Sequence, residues 1–129
     1  MAMYKVGNTG FNIATASMSI ITPQPRSTGV QSTKRTFAAN GNVFESALYI
    51  ELLFSVLPTA YEYQQLLAQF DLNTFINKNV TIYAPDEQFF WQRFNGIAVR
   101  PEMGKDAKRD RYMIRDITIL VKHLELLAP

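Results

Sequence analysis

Cysteine is absent from this chain. That excludes disulfides, thiolate metal sites and cysteine nucleophiles, and it fits a reducing compartment or a particle assembled in one. Histidine occurs once, as His123. A general base needs a positioned partner, and a metal site usually needs several ligands. The expected reading of His123 is therefore a partly exposed strand residue, beside Lys122 and two positions before Glu125. Long apolar runs are also missing. The strongest lies between Leu48 and Leu57, is interrupted by Glu51, and is too short to cross a bilayer as a helix. Residues 1–11 lack the apolar stretch of a signal peptide, so a soluble protein made in the cytoplasm is expected. Neither sign of charge dominates: 13 Lys and Arg against 11 Asp and Glu leave +2, a weak sign of an anionic partner. No GxSxG, HExxH, Walker A or GxGxxG pattern occurs. Gly7-Asn8-Thr9-Gly10 has too few glycines to cradle phosphate and reads as a turn.

What is present describes one ordinary globular domain over residues 1–129, 47% hydrophobic and 19% charged. From Phe11 to Ile21, the shared parity of Phe11, Ile13 and Thr15 predicts a strand. The polar segment of about 22–36, with Pro23, Pro25 and Gly29, predicts a long loop or projecting hairpin. Loops of that length are usually functional. Asn40-Gly41-Asn42 is a turn signal between Phe37 and Val43. Phe44, Leu48, Ile50, Leu52 and Phe54 then fall on one face of a long half-buried strand, opposite Glu45, Tyr49 and Glu51.

The period changes after Pro58. Thr59 and Glu62 match a capping box. Tyr63, Leu66, Leu67 and Phe70 make one helical stripe, so a helix is predicted over about 59–71, ended by Asp71-Leu72-Asn73. Val80 to Tyr83 reads as a strand stopped at Ala84-Pro85-Asp86. Phe89 to Val99 reads as another, with Trp91, Ile97 and Val99 on one parity and Gly96 as a bulge. A charged, exposed hairpin loop is predicted over about 100–111. Tyr112 to Leu126 forms the last strand, bent near Arg115-Asp116 because Ile114 and Ile117 differ in parity. Strands, one helix, then more strands predict an α+β, mostly β fold: an antiparallel β-sandwich or small barrel with one flanking helix.

Carboxylates that could pair as acid and base are Asp86 and Glu87 in a turn, and Glu102 and Asp106 in the charged loop. Charge mixing in solvated loops explains them more simply, and no catalytic residue, cofactor or metal is expected. The charged loop sets Arg100, Lys105, Lys108, Arg109 and Arg111 against Glu102, Asp106 and Asp110. Its interspersed acids weaken any field that would attract phosphate. A subunit contact made of complementary charges suits it as well. Arg26, Lys34 and Arg35 in the first polar segment are candidates for the same role. Phe89-Phe90-Trp91 places adjacent aromatics in a strand, so one of Phe89 and Phe90 should point away from the core, and Phe89 is an interface candidate.

The stretch Trp91 to Arg100, the charged hairpin and Tyr112 to Ile119 together resemble the closing hairpin of bacteriophage tail-tube and distal-tail adaptor proteins. The resemblance covers the chain in outline. It implies a β-sandwich or barrel with one flanking helix and a long loop that reaches the next ring. It also implies a structural virion protein, assembled in the host cytoplasm, that forms a tail ring by head-to-tail contacts. The station would be tube, terminator, adaptor or baseplate ring. The implied partners are further copies of the chain, as a hexameric ring, and neighbouring tail or baseplate proteins, with no membrane and no tight nucleic-acid binding. Two other readings stand beside it. One is a single-stranded nucleic-acid-binding barrel that stacks bases on exposed aromatics. The other is a small enzyme with a site outside known motifs.

Overall fold

The segments with apolar residues at alternate positions become the long strands. In the computed structural model of the chain, the described residues are 3–27, 29–32, 35–37, 43–45, 48–57, 59–86, 88–110 and 113–127; of these, 32, 35–37, 43–45, 56 and 110 are described by their backbone only. The elements are β1 (Lys5–Gly7), a 3-10 turn (Thr15–Ser17), β2 (Ser19–Ile20), β3 (Gln31–Ser32), β4 (Arg35–Phe37), β5 (Val43–Glu45), β6 (Leu48–Leu57), α1 (Ala60–Gln69), β7 (Asn77–Pro85), β8 (Trp91–Val99), β9 (Lys108–Asp110) and β10 (Met113–Leu126). One antiparallel sheet runs β2-β1-β7-β8-β10-β6-β3, with β9 also paired to β10, and it curls into a half-barrel. The fold is mostly β with one α-helix, as the sequence predicts.

The concave face holds the core. Ile50, Leu52 and Phe54 of β6, Val80, Ile82 and Ala84 of β7, Phe94 and Ala98 of β8, and Ile119 and Val121 of β10 are all buried there. Burying each large side chain of this kind stabilises the fold by roughly 1.5–3 kcal/mol. Helix α1 covers part of this face, touching β6 and β10. Its buried stripe is Tyr63, Leu66 and Leu67, continued by Phe70 at the C-cap. The Thr59 hydroxyl accepts the Glu62 N–H at 3.3 Å, which meets one orphan donor of the first turn. At the other end Asp71 turns left-handed (φ 57), donates to the Ala68 carbonyl, and Leu72 donates to that of Leu67. This paired C-terminal closure ends the helix and aims Leu72 into the core.

The bend expected near Arg115-Asp116 is present, and both strands of the pair share it. Ile114 pairs with Leu57 and Ile117 with Phe54, and all four are buried. In each strand three positions, an odd number, separate the inward residues. The faces of β6 and β10 therefore switch together, and Asp116 absorbs the change at φ 53. Gly96 is different from expectation. It pairs in unbroken register with Val80, so it is no bulge. The irregularity lies opposite, between Lys122 and Glu125 of β10, where His123 adopts φ 55. A Cβ on Gly96 would sit 2.5 Å from Leu124 Cδ2 and 2.8 Å from Val121 Cγ1. The glycine makes room for the bulged neighbour. The inward parity of β8 is Phe94, Gly96 and Ala98, not that of Ile97 and Val99. Trp91 packs at the core margin, against Tyr4 and Tyr83 at 5.0 and 5.5 Å.

The strand predicted from Phe11 to Ile21 does not form; only Ser19–Ile20 pairs. Side chains take the backbone bonds that a ladder would have used. Asn12 N–H donates to Asn95 Oδ1 (2.8 Å) and Ile13 N–H to Thr81 Oγ1 (3.1 Å). Arg93 Nη1 donates to the Ile13 carbonyl (3.0 Å). Thr81 is fully buried beneath this loop.

The segment of about 22–36 is not a free loop over its described part. It leaves β2 at one edge of the sheet and enters β3 at the other, strapping the half-barrel. The Ile21 N–H and the Gln24 side chain bond the Tyr4 carbonyl, each at 3.0 Å. Arg26 and Leu53 exchange two backbone bonds of 2.9 Å, and Val30 N–H reaches the Pro85 carbonyl at 3.0 Å. Gly29 allows that last approach at φ +87, and a Cβ there would lie 2.9 Å from the Pro85 oxygen. Gly29→Ala should therefore lower the unfolding free energy by about 1–3 kcal/mol. Urea denaturation measures it, and a midpoint shift equivalent to less than about 0.3 kcal/mol would show that the strap does not depend on this contact.

Candidate functional site

The two ends of β8 carry the distinctive surface chemistry. Its nine residues separate them by about 30 Å. At the first end, β7 turns into β8 through residues 86–90. Pro85 closes β7, and Asp86 organises the turn. Its Oδ1 accepts the N–H groups of Gln88 (2.9 Å) and Phe90 (3.0 Å), and its Oδ2 accepts the Gln92 amide (2.5 Å). Asp86 N–H also donates to the Phe90 carbonyl, and Phe89 N–H to the Asp86 carbonyl. Every one of these partners is electrically neutral. The turn holds Phe89 at φ 67 and presents two aromatic side chains to solvent, Phe89 at 76% and Phe90 at 67% exposure. The expectation that a strand would hide one of them is corrected: β8 begins only at Trp91, so strand alternation does not apply. Leu126, 55% exposed, lies at the same end, since it pairs with Phe94.

At the second end, Arg100 anchors the chain as it leaves β8. Its Nε donates to the Leu72 carbonyl at 2.7 Å and its Nη2 to the Asn73 carbonyl at 3.2 Å, while its own N–H bonds Ile76. The following loop is tied down more firmly than a free exposed hairpin. Pro101 and Ala107 are buried, Asp106 Oδ2 accepts the Glu102 N–H (3.1 Å), and the Asp106 carbonyl accepts the Thr118 N–H (2.8 Å). Between this loop and the convex face of the sheet lies a cleft of about 520 Å³. Ile76, Val99, Pro101 and Leu120 give it apolar walls, and Glu51, Glu102 and Lys105 stand among its polar ones. The loop continues into β9, which sets Lys108 directly opposite Arg115 of β10. Like charges in register repel each other. Arg115 has Asp116 nearby at 3.8 Å, a loose and exposed pair. Tyr63 stands behind the loop; burial pushes its hydroxyl pKa up, Asp106 adds to the rise and Arg100 opposes it.

Among the nine interface candidates, the fold gathers Arg100, Lys105, Lys108 and Arg109 at one end, with the last three exposed. Phe89 is at the opposite end. Arg26 lies in the strap, its guanidinium on Ser55 Oγ at 2.9 Å. Arg35 lies in β4, which is described by its backbone only. Lys34 and Arg111 fall outside the described residues. Sequence reasoning missed Ile76 and Arg115, and it chose Phe89 alone where Phe90 is exposed as well. The Asp86-x-Gln88-x-Phe90 spacing after a proline was the available signal, since a short carboxylate there bonds the N–H groups that follow it. Asp86 and the Glu102–Asp106 pair lie at opposite ends of β8, so they share no acid–base site. His123 is an exposed bulge residue. No protein family, curated protein or solved structure matches this chain.

Partial burial raises the Asp86 pKa, but bonds from Phe90, Gln88 and Gln92 outweigh it and hold the carboxyl below its ordinary 3.8. A depressed folded value means that the turn is stabilised above the unfolded pKa and loses that support as pH falls through the folded one. Proton NMR should show the amides of Gln88 and Phe90 titrating together with a midpoint below 3.8. A midpoint above 3.8 would contradict the clamp.

Proposed function

We propose that this chain is a structural virion protein, a subunit of a bacteriophage tail ring that assembles through unlike faces of adjacent copies. The observation that carries the reading is an arm built from β3–β4 and β5–β6. Gln31 pairs with Tyr49, Ser32 with Leu48, Arg35 with Glu45, Thr36 with Phe44 and Phe37 with Val43. The β4–β5 pairs keep the same register as the β3–β6 pairs and form a separate two-stranded sheet, a ribbon flanking the Asn40-Gly41-Asn42 signal in sequence. That signal itself lies outside the described residues. Beyond Ser32 the ribbon pairs with no other strand among the described residues. A two-stranded ribbon is marginal alone in water, and a neighbouring subunit would supply the missing support. The resemblance to tail proteins, in which a long loop reaches the next ring, adds to this.

The alternative, a single-stranded nucleic-acid-binding barrel, has less support. Such a groove sets stacking aromatics beside phosphate-binding cations. Here Phe89 and Phe90 are separated from Lys105, Lys108 and Arg115 by the length of β8, and Phe75, the exposed aromatic nearer the basic end, already has Lys78 Nζ over its ring at 4.6 Å. If the ring surrounds a DNA channel, the basic loops belong at subunit contacts, because a lumen that gripped phosphate would hold the DNA back. Finer stations within the tail, the hexameric stoichiometry and the neighbours belong to the same proposal.

Light scattering of the protein, alone and mixed with candidate neighbouring tail proteins, tests it. The expected result is a closed ring or tube. A variant with residues 35–45 replaced by an Asn-Gly turn should keep its melting transition and lose at least tenfold in assembly affinity. A wild-type chain that stays monomeric under every condition would sink the reading.

A further inference from the structure

We draw no further inference here: the strongest candidate, the exposed aromatic patch that Phe89 and Phe90 form on the turn between β7 and β8, carries nothing, because no feature of the structure shows what covers it.

Discussion

A curled sheet that does not close has two edges, and each would offer unpaired backbone groups to water or to another chain. The strap from Ile21 to Val30 answers both edges with one segment. It is bound to β1 through Tyr4, to β6 through Leu53 and to the end of β7 through Pro85. Without it, the curvature that brings β6 and β7 around the same core would rest on side-chain packing alone. Helix α1 and the buried faces of β6, β7, β8 and β10 presuppose that curvature. The two edge strands, β2 and β3, have two residues each, which is one way that proteins blunt an edge.

Much of the fold was legible because two local signals agreed. Thr59 with Glu62 marked a helix start, and Tyr63, Leu66, Leu67 and Phe70 marked its buried face. The alternation from Leu48 to Phe54 gave a half-buried strand and its inward side. The parity conflict between Ile114 and Ile117 gave a bend, though not that β6 would bend with it. Sequence reasoning failed where distant groups settled the outcome. The strand pattern of Phe11, Ile13 and Thr15 was overruled by Thr81, Arg93 and Asn95, which are close only in space. Gly96 looked like a bulge because nothing local shows that Leu124 crowds it from β10. Phe89 and Phe90 were read as strand residues because the carboxylate of Asp86, reaching the Phe90 N–H, delays the strand.

The interface candidates divide by what already holds them. Arg26 and Arg100 spend their guanidinium groups on the chain's own oxygens, so they shape the molecule. Lys105 is exposed on a loop whose backbone is fixed by Pro101, Ala107 and the bond from Thr118, and Lys108 and Arg109 are exposed on β9, which follows it. Basic residues counted along a sequence do not separate these two roles. Their hydrogen bonds do. The same distinction applies to the carboxylates: that of Asp86 is fully engaged as an acceptor yet keeps its charge.

The order in which the central strands pair has a temporal consequence. Ile50 finds Val121, and Lys5 finds Tyr83, across long stretches of sequence. Pairings this distant form slowly, and neither can form while its later partner is still being synthesised. The arm, the β7–β8 hairpin and the short β9–β10 hairpin are local enough to form as soon as their own residues are made. A growing chain would therefore display the Phe89–Phe90 turn before the loop that walls the cleft has been made. Because β10 is the strand that joins β6 to β8, the sheet cannot curl around its core until that last strand has been made.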